Sequence, residues 1–179
     1  MNGEYLAEID DAIKQIKAQL DIVERIITLL KDADTIYICG NGGSASIATH
    51  FANDLQIRGH QRAIALTEVS IVTAWANDTD FKNVFALQLH SVARKGDVLI
   101  TFSGSGCSKN IIQACHAATA LGLTTISFVG LDGGVQKKHR DVLNIKELVH
   151  VSASMLPVEA AFAILTHYIA STLNGEIHE

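Results

Sequence analysis

The chain has 179 residues, 48% of them hydrophobic, a single proline and a formal net charge of -5. That length holds one domain with a full core, and the composition argues for regular structure rather than linkers or disorder. An acidic balance leaves no electrostatic footprint for nucleic acid and argues against it as a direct partner.

Residues 4–30 place Leu6, Ile9, Ile13, Ile16, Leu20, Val23, Ile26, Ile27 and Leu30 at spacings of three and four. The spacing predicts one long N-terminal amphipathic helix, which either packs on a partner subunit or covers its own sheet. The run Ile36-Tyr-Ile-Cys39 then reads as a strand, Gly40, Gly42 and Gly43 as a tight turn, and the segment to Leu55 as a helix. Glycines at such a turn let backbone N–H groups approach an anion, and the helix N-terminus adds a positive dipole end. Ser44 stands where an N-cap hydroxyl belongs. The pattern suits a phosphate site, and it also suits the ordinary glycine turn of an α/β protein. One turn further on, His50 and Asp54 stand at i and i+4 and share a helix face.

Arg62 to Leu66 reads as a second strand, and Val69 to Ala76 as a short helix ending at Asn77-Asp78. Phe81 to Ala93 is a further helix, followed after a Gly96-Asp97 turn by the strand Val98 to Phe102. Ser103-Gly-Ser-Gly-Cys-Ser108 then precedes a helix from Lys109 to Leu121. Hydroxyls, backbone amides and a helix dipole can hold phosphate there without Lys or Arg; the competing reading is a flexible turn capped by Ser108. The loop lacks the Gly-Lys-Ser/Thr ending of a P-loop, and Gly40-Asn-Gly-Gly lacks the dinucleotide spacing, which disfavours NAD.

A strand follows at Thr124–Val129, then a third glycine-rich turn at Gly130-Leu-Asp-Gly-Gly134. Asp141–Ile145 and Val149–Val151 read as short strand pieces, and Pro157 sits in the first turn of a last helix reaching about Leu173. No internal boundary shows, so residues 1–179 are expected to form a single domain. Strands alternating with helices predict a parallel sheet covered on both faces, with ligands at the carboxyl ends of its strands.

Cys39, Cys107 and Cys115 match neither a disulfide framework nor a zinc ribbon and suit a reducing compartment. The N-terminus is too polar for a signal peptide and no apolar run approaches membrane-spanning length, so a cytoplasmic protein with no membrane partner is expected. Glu159 and His167 are about 80° apart around the last helix. With His50 and Asp54 they supply two imidazoles and two carboxylates, a zinc set by ligand type. A core histidine and a helix-dipole glutamate explain the same residues.

Cys39-Gly-Asn-Gly-Gly-Ser44, followed by His50-Phe-Ala, resembles the opening motif of the sedoheptulose 7-phosphate (phosphoheptose) isomerases, within the SIS, or sugar isomerase, domain superfamily. The resemblance continues through Leu66-Thr-Glu-Val-Ser70, Thr73-Ala-Trp-Ala-Asn-Asp78, Gly96-Asp-Val-Leu99, Ser103 to Asn110, Gly130 to Gly134 and the last helix. It implies a three-layer α/β sandwich with a five-stranded parallel sheet, assembled as a homotetramer with active sites at subunit contacts. It further implies conversion of sedoheptulose 7-phosphate to D-glycero-D-manno-heptose 7-phosphate, supplying heptose for lipopolysaccharide or capsule.

By the same resemblance, Asn41, Gly42, Gly43, Asn77 and Asp78 bind the sugar, with Glu159. Ser103, Gly104, Ser105 and Ser108 hold the phosphate, with Ser44 beside it. His50, Asp54, Glu159 and His167 bind one zinc per subunit, and Asp54 and His167 move the protons. The chain departs from the family in carrying Asp54 for Glu, Glu159 for Gln, Phe162 for a His and Pro157-Val158 for an Arg site. Its serine loop is also changed, at Gly104 and Cys107. Those departures leave room for an isomerase of another sugar phosphate, or for a non-catalytic SIS binding module like those that associate with the bacterial replication initiator.

Overall fold

The structure, a computed structural model, describes residues 3–174. Runs rich in β-branched and other apolar residues become the strands β1 (Ile36–Gly40), β2 (Ala63–Ala65), β3 (Val98–Ser103), β4 (Thr124–Val129) and β5 (Ile145–His150). All pairings are parallel and the order is β2-β1-β3-β4-β5. Parallel neighbours need crossovers, and helices supply them. They are α1 (Glu4–Lys17), α2 (Leu20–Lys31), α3 (Gly43–Ile57), α4 (Val69–Asp78), α5 (Val84–Val92), α6 (Lys109–Leu121), α7 (Gly134–Lys138) and α8 (Met155–Leu173).

Because successive strand residues face opposite sides, the sheet splits the core in two. Ile36, Ile38, Ile100, Phe102, Ile126 and Phe128 meet α1, α2, α3 and α8 on one face. Tyr37, Cys39 and Leu99 meet α5 and α6 on the other. Phe102 and Phe128 stack at 4.8 Å, and Phe162 of α8 closes on them at 6.1 and 5.7 Å. Truncating any of these fully buried rings costs about 3–5 kcal/mol. Position 162 is thus part of the core, and a polar ligand there would sit among phenyl rings.

The N-terminal periodicity is helical as expected, but the helix breaks at Ala18-Gln19, where Gln19 takes φ -117°, ψ 21°. The break has a partner. The Gln19 side chain donates to His150 O and accepts from His150 N, while Gln15 makes the same pair of bonds with Ser152. Two side-chain amides thereby stand in for a neighbouring strand at the free edge beyond β5, a tertiary need that outweighs helix continuation.

Residues 141–144 form a turn rather than a strand piece, with Asn144 at φ 49°, and β5 is one continuous strand. The third glycine turn leads into the short helix α7, absent from the expected elements. α8 corrects another expectation, since its 19 residues, at a mean hydropathy of 1.3, are long and apolar enough to cross a membrane. It lies instead on the sheet, burying Val158, Ala161, Phe162, Leu165 and Ile169.

Candidate active site

The chain leaves β1 toward β2 on one side and later enters β3 on the other, so the carboxyl ends of β1 and β3 border a topological switch point, where open α/β sheets bind ligands. A cavity of about 300 Å³ lies there. Asn41, Gly42, Gly43 and Ser44 line it from the first loop, Ser103, Gly104, Ser105 and Ser108 from the second, and Glu159 from α8. The fold thus brings most of the sequence-predicted binding residues to one place.

The first loop turns because Gly42 takes φ 57°, ψ -125°, a conformation open to glycine and strained for any other residue. Gly42, not Ser44, is the N-cap of α3. Ser44 lies inside the helix, 5% exposed, and its hydroxyl has no hydrogen-bond partner among the described residues. A hydroxyl without a protein partner on a cavity wall is suited to a polar ligand. Gly43 lies flat against Glu159: a Cβ there would stand 2.3 Å from Glu159 Oε2.

In the second loop, Ser103 Oγ accepts from Gly106 N–H at 3.1 Å, and Ser105 Oγ accepts from Cys107 N–H at 3.2 Å. Both hydroxyls spend a lone pair on the loop and keep the O–H to donate. Ser108 is the N-cap of α6 without a side-chain capping bond, so its hydroxyl is not used to close the helix. Hydroxyl donors over a helix N-terminus suit an oxyanion.

Asn110, Phe102 and Met155 are residues that the sequence reading did not select. Asn110 and Asn41 exchange side-chain amide bonds at 2.9 and 2.8 Å, clamping the first loop to α6. Phe102 and Met155 are the apolar part of the cavity wall. Phe102 ends the apolar run of β3 directly before Ser103, whereas Met155 is put beside the loops by the crossover topology alone.

A second group forms farther along α3. Asp54 Oδ2 lies 2.9 Å from His167 Nδ1 and 3.5 Å from His50 Nε2, and the two imidazoles meet edge to face at 4.9 Å. The i, i+4 pairing of His50 and Asp54 thus holds, and α8 adds His167. Asp54 is 5% exposed, and its Oδ2 makes no hydrogen bond of acceptable geometry despite these short approaches. One ligand atom from each of the three lies within 4.8 Å of the other two. Two imidazoles, a carboxylate and an orphaned buried oxygen fit a divalent cation such as zinc.

Glu159 is not in this group. Eight residues of α-helix put it about 12 Å along α8 from His167, and its carboxylate lies at the cavity instead. Asn77 and Asp78 also lie outside the cavity lining. They end α4, exposed, with Asn77 Nδ2 donating to Asp78 Oδ1 at 2.9 Å.

The family model of the SIS domain matches residues 4–130. A phosphoheptose isomerase of Clostridium acetobutylicum is 36% identical over 98% of this chain and 86% of its own length, and one of Aliarcobacter butzleri is 33% identical over 97% and 95%. The solved phosphoheptose isomerase of Neisseria gonorrhoeae superimposes with a TM-score of 0.85 at 29% identity, covering 97% of this chain and 96% of that one. That of Francisella tularensis superimposes at 0.88 with 24% identity, a likeness of fold. The chain belongs to the SIS domain family, among its phosphoheptose isomerases.

Proposed function

We propose that this protein is the isomerase that interconverts sedoheptulose 7-phosphate and D-glycero-D-manno-heptose 7-phosphate, with a divalent cation, zinc by ligand type, assisting. It is a sugar-phosphate isomerase by its relatives. The observation that carries the reading is the cavity at the switch point, where serine hydroxyls with an O–H left to donate and a carboxylate line one space.

Ser103, Ser105 and Ser108 would hold the phosphate over the α6 N-terminus, so that remote binding orients the reacting end. Ser44, Glu159 and the backbone at Gly42-Gly43 would bind sugar hydroxyls. The Asp54 carboxylate would take the proton from C1 of the ketose. That electron pair forms the C1–C2 double bond as the C2 carbonyl oxygen gains a proton, giving an enediol. His167 would deliver a proton to C2 while the C1 hydroxyl gives up its own and becomes the aldehyde oxygen. His50, Asp54 and His167 would hold the cation, which when bound supplies Lewis-acid stabilisation of the developing oxyanion.

Asp54 and His167 lie roughly 12 Å or more along their helices from the cavity. Self-association, as a homotetramer by family, would bring one chain's group to another chain's cavity. An exposed apolar groove between α8 and the α1–α2 junction, walled by Ile13, Leu20, Ile164 and Tyr168, supports assembly through these helices. The described residues read as one SIS domain, and the three free thiols fit the cytoplasm. The test is turnover of sedoheptulose 7-phosphate by metal-stripped protein with and without zinc. Zinc-dependent conversion to an aldoheptose 7-phosphate is expected, and no conversion in either state overturns the reading.

A further inference from the structure

A second polar cavity, of about 310 Å³, opens at the opposite edge of the sheet, beneath the amino ends of β2, β1 and β3. Arg62 and Thr35 stand side by side in it, because Ile36 N–H donates to Arg62 O at 2.8 Å and Val98 N–H to Thr35 O at 2.9 Å. Arg94 and Lys95 enter from the turn between α5 and β3. The buried ring of Tyr37 forms the roof, its hydroxyl donating to Val92 O at 3.1 Å.

Two observations make this more than a basic patch. Thr35 is 7% exposed and lines the cavity, yet its hydroxyl has no hydrogen-bond partner among the described residues. Arg62 and Arg94 are exposed residues lining the same cavity, and among the described residues no carboxylate pairs with either. The two wall carboxylates are engaged in or packed against the turn. Asp97 Oδ2 accepts Arg94 N–H at 2.7 Å, and Asp34 Oδ2 would stand 3.0 Å from a Cβ on Gly96. Both arginines also bear on the Tyr37 hydroxyl: burial and Asp97 push its ionisation up, and Arg62 and Arg94 oppose them.

We infer that this cavity is a binding site for a compact dianion, a phosphate or a small phosphate monoester, held by Arg62, Arg94, Lys95 and the Thr35 hydroxyl. Guanidinium forks match phosphate oxygens two at a time, and the buried Thr35 adds a hydroxyl donor at the cavity wall. The site is separate from the catalytic cavity. From Thr35 to Asn41 the chain runs through the whole of β1, roughly 20 Å at the rise of an extended strand. One molecule of this size cannot occupy both.

The test is a titration of the ¹⁵N-labelled full chain with inorganic phosphate, followed by its amide resonances. Two independent sets of shifts are expected, one in the loop 103–108 and one in residues 34–37 and 94–97. In R62Q/R94Q the second set should need at least tenfold more phosphate, while the first set and the isomerase activity stay as they were. K95Q, altering only an exposed side chain, should weaken the second set severalfold even if the double variant folds poorly. A nucleoside monophosphate and a hexose 6-phosphate then separate the sources. An ester that shifts the second set at lower concentration than phosphate identifies an ester ligand, and no such preference identifies phosphate itself. The inference is overturned if residues 34–37 and 94–97 do not respond in the wild-type protein, or respond equally in the variants. Isomerase turnover is read separately and does not depend on the result.

Discussion

Gly43→Ala isolates the role of the contact between the first loop and α8. The added Cβ would stand 2.3 Å from Glu159 Oε2 and 2.6 Å from both Cδ and Oε1, so the carboxylate must withdraw by about 1 Å to reach ordinary contact. The folded state should not suffer. Glu159 is a flexible side chain facing a cavity, and alanine in a helix is favoured over glycine by up to about 0.5–1 kcal/mol. Activity should suffer, because misplacing a binding group by about 1 Å costs ten- to a hundred-fold. The assay is urea denaturation beside steady-state turnover of sedoheptulose 7-phosphate. Unchanged or raised stability with kcat/KM lowered at least tenfold is the expected pair. In the double variant with Glu159→Ala the clash disappears, so Gly43→Ala should add little to the loss from Glu159→Ala alone. A Gly43→Ala protein that turns over like the wild type would refute the placement of substrate against Glu159. Gly42→Ala is the contrast, since φ 57° strains alanine and should cost about 1–3 kcal/mol of stability.

Asp54→Asn keeps the side-chain shape and removes the base and one ligand, so turnover should fall by about a hundredfold or more, and zinc retained on dialysis should fall with it; full turnover would remove Asp54 from the mechanism. Gln136→Leu tests the support beneath the serine loop. Gln136 is fully buried, its side chain donates to Thr101 Oγ1 and Ser127 Oγ at 3.0 and 3.2 Å, and its backbone N–H holds Gly106 O at 3.0 Å. Its loss should cost about 1–3 kcal/mol in urea denaturation and raise KM more than it lowers kcat. Thiol labelling should separate the cysteines. Burial pushes Cys39 up and Cys115 up to about 12, while Cys107 is exposed in the serine loop. Native protein should therefore lose one thiol to iodoacetamide, at Cys107, and bound sugar phosphate should slow that reaction.

The parts of this protein that were legible in its sequence are those governed by local periodicity. β-Branched and aromatic runs marked β1, β3 and β4, spacing of three and four marked the N-terminal helical segment, and glycine and serine at strand ends marked both walls of the cavity. The His50–Asp54 pair was also legible, because i and i+4 always share a face. Tertiary structure decided what depends on partners far along the chain. The edge beyond β5 drew Gln15 and Gln19 into strand-like bonds and broke a helix whose periodicity runs on unbroken. The strand order and its crossovers set Asn110 and Met155 beside the first loop. Most consequentially, α-helical rise separated Glu159 from His167 by about 12 Å, dividing a set of four expected ligands into a cation group of three and a cavity carboxylate. Angle around a helix is readable from residue number, but which end of the helix meets which loop is settled only when the sheet has assembled.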